Sequence, residues 1–389
     1  MVSSPMTRSS LAESRRMALV TIVVPVFNTA PVLIERAVSS ALVQTHSNLE
    51  LLIVDDGSTD EVAEFLDRMS HRDSRIRVLH QANGGVSAAR NAGVDNASGE
   101  FIAYLDADDY LEADFLSAAL RAAQALDADA VFGGLRVLSG GGSVEWRTGG
   151  PSAKNPLVGT AEMIASACVH ALSGSPSPVS STGLLSVTNV VSCIYKVETA
   201  RRHGFLEGMS HAEDRLHNVH VLLTAGRVAF CSDVWYVYDA THDQGATRRA
   251  TPHTAAGLVR TVREFAEFSE ALGTRFDLPE NLRLRVMQAA ADGVLNYLKI
   301  LCGVMAVVGK RRTSKVLLHQ LLGEPSVIAT AARATQAGWQ GKFFAFATRH
   351  GQIDLLLLLG WLWARARGGF QMSFEQQSRR SGGRTKAND

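Results

Sequence analysis

The chain reads Phe101-Ile102-Ala103-Tyr104-Leu105-Asp106-Ala107-Asp108-Asp109, an apolar strand-like run that passes directly into three carboxylates. The same change occurs at residues 49–56, where a largely apolar run ends in Asp55 and Asp56. A β-branched run, Leu19–Val26, precedes both. Strands that are apolar along their length are typical of parallel sheets covered on both faces, and ligands bind beyond the carboxyl ends of such strands. The acids therefore mark the expected ligand edge of a sheet.

Strand-like and helix-like segments alternate over the first 135 residues. This βαβα order predicts an α/β fold of Rossmann-like plan, in which a mainly parallel sheet is sandwiched by helices. The expected strands are 19–26, 49–54, 76–79, 101–105 and 130–132, and the expected helices are 31–44, 61–69, 86–97 and 113–126. Beyond them we expect loops over 139–188 around a short helix near 161–171, a helix over 213–225, strands near 228–231 and 234–238, and helices from 252 to 367.

Length and charge divide the chain. Its 389 residues exceed one average domain. Residues 1–245 carry 18 Lys and Arg against 28 Asp and Glu, whereas residues 246–389 carry 21 against 10. We therefore expect a disordered leader at 1–17, an α/β domain at 18–245, an α-helical C-terminal domain at 246–367 and a basic disordered tail at 368–389.

The composition also indicates a compartment. The four cysteines are widely spaced and form no CxxC pair, which argues against a structural zinc site and a disulfide framework and suits a reducing cytosol. The first 17 residues lack the apolar core of a secretory signal, and no stretch approaches the roughly 18 apolar residues that span a bilayer. We expect a cytoplasmic protein, with peripheral attachment to the inner face of the plasma membrane as the alternative.

Three acidic clusters stand out: Asp55-Asp56, Asp106–Asp109 and Glu213-Asp214. Carboxylates that gather at one sheet edge repel one another unless they share a cation. A hard divalent ion such as Mg²⁺ or Mn²⁺ fits, because it is held by one or two carboxylates together with the oxygens of a diphosphate. The alternative is that single acids cap turns or helices, as Asp109 or Asp114 could.

Four ordered motifs carry a resemblance to a known family. They resemble the consecutive signatures of family 2 inverting glycosyltransferases, which have the GT-A fold, and the match is dense over residues 19–130. The motifs are Val24-Pro25-Val26-Phe27-Asn28, Ile53-Val54-Asp55-Asp56-Gly57-Ser58-Thr59-Asp60, Gly84-Gly85-Val86-Ser87-Ala88-Ala89-Arg90-Asn91-Ala92-Gly93 and Gly99–Asp109. The resemblance reappears at Glu213-Asp214 and implies transfer of a sugar from a nucleotide diphosphate donor, with a UDP-sugar expected.

The resemblance implies a donor-binding role for residues at the ends of the first two strands. Pro25 and Phe27, with Asn28 beside them, would line the nucleotide pocket. Asp56 would accept a hydrogen bond from the base. Gly84 opens a helix whose start allows close backbone approach to an anion.

The resemblance also implies roles for residues of the third and fourth motifs and of the last acidic cluster. Asp106 would approach the donor ribose and sugar, and with Asp108 it would hold the metal that bridges the phosphates. Arg90 would counter phosphate charge or anchor its helix against an acid. Asp214 would be the general base that takes the proton of the acceptor hydroxyl, with Glu213 orienting the acceptor. These two acids could instead merely favour the first turn of their helix.

Two further questions stay open at this stage. His242 could ligate the metal, or remain a solvated loop histidine; His211 is equally ambiguous. The apolar stretches 294–309 and 353–364 are each followed by basic residues, so the C-terminal helices could contact a membrane peripherally, pack on each other or form a homo-oligomer.

Rival functions are less favoured by the residues. A sugar-nucleotide pyrophosphorylase would need a Gly-rich loop with Arg and Lys after the first strand, where Pro25–Asn28 stands instead. A catalytically silent nucleotide-sugar-binding scaffold need keep neither Asp108 nor Asp214, yet both are present. The expected partners are the nucleotide-sugar donor and a glycan or lipid-linked glycan acceptor, and no nucleic acid.

Overall fold

A computed structural model describes most of the chain. The described residues are 17–139, 142–146, 152–173, 187–241, 252–272, 276, 278–308, 311–334, 345–348 and 350–366. The expected leader, apart from Met17, and the expected basic tail thus lie outside the described residues, as does His242.

One ten-stranded sheet contains all the strands of the described part. Its main path runs in the order β3-β2-β1-β4-β9-β6-β10-β5, with β7 beside β6 and β8 beside β10. The strands are β1 (Val20–Val26), β2 (Leu49–Asp55), β3 (Ile76–His80), β4 (Phe101–Tyr104), β5 (Tyr110–Leu111), β6 (Ala130–Ser139), β7 (Gly142–Trp146), β8 (Leu157–Val158), β9 (Cys193–Lys196) and β10 (Val228–Asp239).

Helices follow most strands in the first half of the chain and then continue alone. They are α1 (Pro31–Leu42), α2 (Asp60–Ser70), α3 (Val86–Asp95), α4 (Phe115–Leu126), α5 (Ala161–Ser173), α6 (Val197–Arg202), α7 (Glu213–Thr224), α8 (Pro252–Ala271), α9 (Glu280–Val308), α10 (Arg311–Leu322), α11 (Pro325–Arg333) and α12 (Ile353–Ala366).

The parallel part of the sheet follows from its sequence. β1 lies between β2 and β4, is parallel to both and is almost wholly buried. Helix α1 begins at a proline, whose missing N–H costs nothing there, and it buries Ile34, Ala37, Val38 and Ala41 at helical spacing. The carboxyl ends of β1, β2 and β4 therefore meet at one edge of the sheet, as expected.

The sheet is parallel only in part. Strand β9 is antiparallel to both neighbours, β4 and β6, and the short strands β5, β7 and β8 are also antiparallel. A strand's direction depends on the path of the loop that feeds it, which apolar runs do not encode. Strand β10 is a single element, whereas the sequence predicts two strands there. Its pairing with β6 shifts register between Phe230 and Tyr236, so the interruption is an irregularity within one strand.

The chain divides into two compact units. The sheet unit comprises the described residues of Met1–Val158, Val191–Gly204 and Ala225–Asp239, and the helical unit those of Gly159–Val190, Phe205–Thr224 and Ala240–Asp389. Helices α5 and α7, which the sequence analysis places in the α/β domain, are thus grouped with the C-terminal helices. The reason is contact: α5 packs against α7 and against the long helix α9.

Two expectations about the whole chain can be compared with this fold. All four cysteines are buried, and none of them forms a disulfide. Over the described residues, no helix combines the length and the apolarity that crossing a bilayer requires.

Candidate active site

Asp56 organises the loop that follows β3. Its carboxylate is 3% exposed and accepts hydrogen bonds from the backbone N–H of Gly84 and of Gly85, each at 2.8 Å, and from Gln81 Nε2 at 2.8 Å. Gly85 has φ +87°, a conformation that favours glycine, and it caps the start of α3. Asp56 therefore holds the glycine loop against the end of β2. Its contact with a nucleotide base stays a prediction.

The loops after β1 and β2 are joined by Asn28. Its backbone N–H donates to Ser58 Oγ at 2.9 Å, and its side-chain oxygen accepts from the Thr59 N–H at 2.9 Å. Asn28 has φ +50°, which asparagine tolerates better than most residues. The neighbouring Phe27 is 53% exposed, and Pro25 is half-buried at the end of β1. An exposed aromatic ring at this edge is available to a ligand.

Asp55 makes a different set of contacts from its neighbour. It accepts hydrogen bonds from the Ser58 N–H at 3.0 Å and from His80 Nδ1 at 2.8 Å, while His80 Nε2 lies 3.1 Å from Asp67 Oδ1. Burial would raise the pKa of Asp55, but these hydrogen bonds outweigh it and hold the pKa below its ordinary value. The two carboxylates raise the pKa of His80, with Asp55 contributing most. Asp55 is thus committed to structure.

The loop after β4 is fixed at several atoms. Arg90, which is 3% exposed, donates to Asp106 Oδ1 at 2.9 Å. Asp109 is buried; it accepts from the Tyr236 hydroxyl at 2.6 Å and from the Asp239 N–H at 2.8 Å. Burial, followed by the charge of Asp106, raises the pKa of Asp109 to about 8. The anchoring contact expected as one alternative for Arg90 is present, and its contact with phosphate stays a prediction.

Asp108 differs from the other acids of this loop. Among the described residues, no side chain donates a hydrogen bond to its carboxylate, although Arg36 donates to its backbone carbonyl oxygen. Burial first, and then the charge of Asp106, raise the pKa of Asp108. A buried carboxylate next to another acid lacks a compensating positive charge, and a divalent cation supplies one.

The donor set fits a metal held jointly with a ligand. No group of three or more His, Cys, Asp or Glu side chains in the described ranges could hold a metal alone. Magnesium-type ions at phosphate sites take one or two carboxylates and complete their shell with phosphate oxygens and water. Asp108, with Asp106 beside it, supplies what such a site needs from the protein, and the prediction for His242 concerns a residue outside the described ranges.

Glu213 and Asp214 begin helix α7 in the helical unit. The preceding residue, Ala212, has φ +67°, a left-handed conformation that costs a residue with a side chain about 1–2 kcal/mol. The Ser210 hydroxyl lies 3.0 Å from His211 Nδ1, and the Thr261 hydroxyl donates to the His211 carbonyl at 3.0 Å. The turn before α7 is therefore held in a strained form, and the approach of Asp214 to the sheet edge stays a prediction.

Sequence reasoning missed four contributors to the loop after β4. The local sequence does not mark Arg36, Tyr236 or Asp239, and it indicates Asp109 only as a member of the acidic cluster or as a turn cap. Arg36 precedes Asp108 by 72 residues, and Tyr236 and Asp239 follow Asp109 by more than 120 residues. Asp109 alone carried a signal, as the third acid of the cluster.

Part of the chain is similar in sequence to known glycosyltransferases. The family model described as Glycosyl transferase family 2 matches residues 21–168. The chain is 42% identical over 116 residues to glycosyltransferase GlyG of Streptococcus pneumoniae. The matched stretch covers 30% of this chain and 38% of GlyG. It is 47% identical over 93 residues to the uncharacterized glycosyltransferase EpsJ of Bacillus subtilis, covering 24% and 27%. The matches thus span less than half the length of these curated relatives.

A solved structure extends the likeness in fold over nearly the whole chain. The crystal structure of residues 1–349 of S. aureus TarS in complex with UDP-GlcNAc matches with a TM-score of 0.62 at 17% identity, over 91% of this chain and 93% of that one. At this identity the likeness concerns the fold. Residues 21–168, which carry the motifs at one sheet edge, thus match glycosyltransferase family 2, and the fold of the chain is the GT-A fold.

Proposed function

We propose that the chain is an inverting, metal-dependent glycosyltransferase that moves a sugar from a nucleotide diphosphate donor to a hydroxyl of a glycan or lipid-linked glycan. The observation that carries the proposal is the loop Asp106–Asp109, in which Asp106 and Asp109 are engaged by protein groups and the Asp108 carboxylate is not engaged by any described side chain. A loop fixed in this way keeps one acid ready for a ligand-borne cation.

The sheet supports a common donor site for the two acidic clusters of the sheet unit. Asp56 follows β2 and Asp106 follows β4, and both strands flank β1 in parallel. Neighbouring strands lie about 4.8 Å apart, so strand ends separated by one strand lie on the order of 10 Å apart. That span suits a nucleotide with its base toward Asp56 and Phe27 and its diphosphate toward Asp108. UDP is the first candidate, because TarS, of similar fold, was solved with UDP-GlcNAc.

The chemistry assigned to the chain's own residues is a single displacement. The acceptor oxygen attacks the anomeric carbon as the bond to the diphosphate breaks, and the Asp214 carboxylate takes the hydroxyl proton. A positioned general base contributes about 10²–10⁴-fold to such a step. Glu213 orients the acceptor, and Arg90, through Asp106, keeps the carboxylates of the donor loop in place. A metal bound at Asp108 would offset negative charge on the leaving diphosphate.

Backbone strain supports a functional role for the start of α7. Among the described residues, three that are not glycine have positive φ: Asn28, Asp127 and Ala212. Two of these adjoin proposed site residues, whereas Asp127 only ends helix α4. Strained backbone persists where the surrounding structure enforces it, and such residues cluster at active sites. Ala212 is therefore consistent with Asp214 being held for chemistry.

The test is release of the nucleotide from a panel of nucleotide-sugars with Mn²⁺, with Mg²⁺ and with a chelator, followed by mass spectrometry. We expect turnover of at least one donor that the chelator abolishes. Asp108→Asn should weaken metal-dependent donor binding, measured by calorimetry. Asp214→Asn should leave donor binding unchanged and lower kcat by about 10²–10⁴-fold.

Asp114→Asn is the matched control, since Asp114 is an exposed acid just past the same loop and makes no capping hydrogen bond with its side chain. It should behave as the wild-type protein. Metal-dependent binding of a donor without any turnover would indicate a silent scaffold instead. Near-normal transfer by Asp214→Asn would show that the base is another residue.

A further inference from the structure

Arg36 contacts two separate parts of the candidate donor site. It lies on α1 and is about one-third exposed. Its Nη1 donates to Asp239 Oδ2 at 2.5 Å, and its Nη2 donates to the backbone carbonyl of Asp108. Its guanidinium carbon lies 5.1 Å from the centre of the Tyr110 ring. One side chain therefore joins α1, the loop after β4 and the end of β10.

Asp239 is itself part of the support for that loop. Its backbone N–H donates to one oxygen of Asp109, while Tyr236 donates its hydroxyl to the other. The same Tyr236 oxygen accepts from the N–H of Asp106 at 3.2 Å. The end of β10 thus binds the loop at Asp106 and Asp109, and Arg36 binds it between them, at Asp108.

The geometry of Arg36 points to a role beyond packing. The buried face of α1 consists of other residues, so Arg36 is not needed to seal the helix onto the sheet. Its Nε is buried without a hydrogen-bond partner in the described part of the structure, which costs stability. The planar guanidinium is oriented by its two acceptors, which a lysine ammonium, a point charge on a flexible stem, would not hold in the same way.

We propose that Arg36, together with Asp239, is a positioning residue for Asp108. It fixes the Asp108 peptide so that the carboxylate faces the ion and diphosphate of the donor complex. The inference rests on the proposed function. Residues that orient a metal ligand from behind it typically change metal affinity roughly 10–100-fold when they are replaced. Arg36 never touches the reacting atoms in this assignment, so its effect is on the binding of metal with nucleotide.

The experiment measures Mn²⁺ binding by electron paramagnetic resonance on the full chain, with and without UDP. For Arg36→Lys and Arg36→Met we expect the dissociation constant of Mn²⁺ in the presence of UDP to rise about 10-fold or more. In transfer assays the Mn²⁺ concentration for half-maximal rate should rise in parallel, while kcat at saturating Mn²⁺ stays within about threefold. Asp239→Asn should also raise the dissociation constant of Mn²⁺. The double variant with Arg36→Met should raise it little further, because both substitutions remove the same contact between Arg36 and Asp239.

Arg72→Lys is the matched control. Arg72 pairs with Glu35, the residue next to Arg36 on α1, at 3.2 Å, and both side chains are more than half exposed. Thermal melts of each variant separate folding from binding. If Arg36→Lys and Arg36→Met lower the melting temperature but leave the Mn²⁺ constant unchanged, Arg36 is structural and the inference is wrong. If the wild-type chain itself binds no Mn²⁺ with UDP or with any nucleotide-sugar of the donor panel, the proposed function fails first.

Discussion

The sheet unit and the helical unit both pack closely at glycines, and the sheet unit adds a network of charged and polar contacts at its edge. At the sheet edge, charged and polar groups fix one another, as Arg90 and Asp106 do. In the helical unit, helices approach closely at glycines: a Cβ at Gly257 would lie 2.5 Å from the Cβ of Ser210, and one at Gly360 would lie 2.5 Å from that of Cys302. Polar networks specify positions, while close packing specifies shape.

The two units also differ in their similarity to known protein sequences. The family match at residues 21–168 falls almost entirely within the sheet unit, where the donor motifs are found. In the proposed function, relatives that take the same kind of nucleotide diphosphate donor need the same acids and glycines at this edge. Shape in the helical unit has no such common requirement, and we expect it to serve the acceptor, which differs between enzymes.

The largest expected effect on stability comes from adding a methyl group at one glycine in each unit. A Cβ at Gly133 would overlap the ring of Trp235, which is fully buried and lies 5.4 Å from the ring of Phe115. Gly133→Ala should cost about 3 kcal/mol through overpacking. For a unit of this size that corresponds to a fall in melting temperature of roughly 6–12 °C.

Gly293→Ala is the counterpart in the helical unit and should cost less. The new Cβ would meet the carbonyl oxygen of Leu172 and the ring of Phe265, but Ala favours the interior of α9 by about 1 kcal/mol over Gly. The net loss should be about 1–2 kcal/mol. Scanning calorimetry of both variants checks the order, and a larger fall in melting temperature for Gly293→Ala than for Gly133→Ala would contradict it.

A smaller effect is expected at the strained turn of the helical unit. Ala212→Gly removes the left-handed penalty of about 1–2 kcal/mol but adds chain entropy to the unfolded state, so the free energy of unfolding should rise by about 0.5–1 kcal/mol. Urea titration measures it. Ala256→Gly, at an exposed position inside α8, should instead lose about 1 kcal/mol. Equal losses in both variants would mean that Ala212 is not strained.

The smallest effect concerns charge at the far edge of the sheet unit. Because the pKa of His80 is raised by Asp55 and Asp67, its stabilisation is fully present below the ordinary histidine pKa and is lost as the pH rises through the raised value. His80→Gln should therefore reduce stability at pH 6 by about 0.5 kcal/mol, a figure discounted for the exposure of the imidazole, and by less at pH 8.5. Urea midpoints at both pH values check this. A deficit that grows toward pH 8.5 would contradict it.

The sequence predicts the sheet unit well where local pattern carries the information. The strands β1 to β4, their helices and the placement of Asp56, Gly84, Arg90, Asp106 and Asp108 at one edge follow from apolar runs and from the motifs. Periodicity also predicts helices from residue 252 onward. These features need only neighbours in sequence.

The features that the sequence does not predict depend on distant contacts. The antiparallel insertion of β9 and the grouping of α5 and α7 with the C-terminal helices arise from tertiary packing. Arg36 looks like an ordinary surface residue of an amphipathic helix until Asp239, 203 positions later, lies against it. No local pattern marks such a pair.

The position of β9 has a practical consequence for anyone who shortens the gene. Strand β9 lies between β4 and β6, and β10 lies on the other side of β6. Both strands come from residues 193–239, after the end of the family match. A fragment that stops at residue 168 would leave β4 without β9 and would leave β6 paired only with β7, and unpaired strand edges invite aggregation. On the ribosome, too, the sheet is completed only after Asp239, the last residue of β10, has emerged.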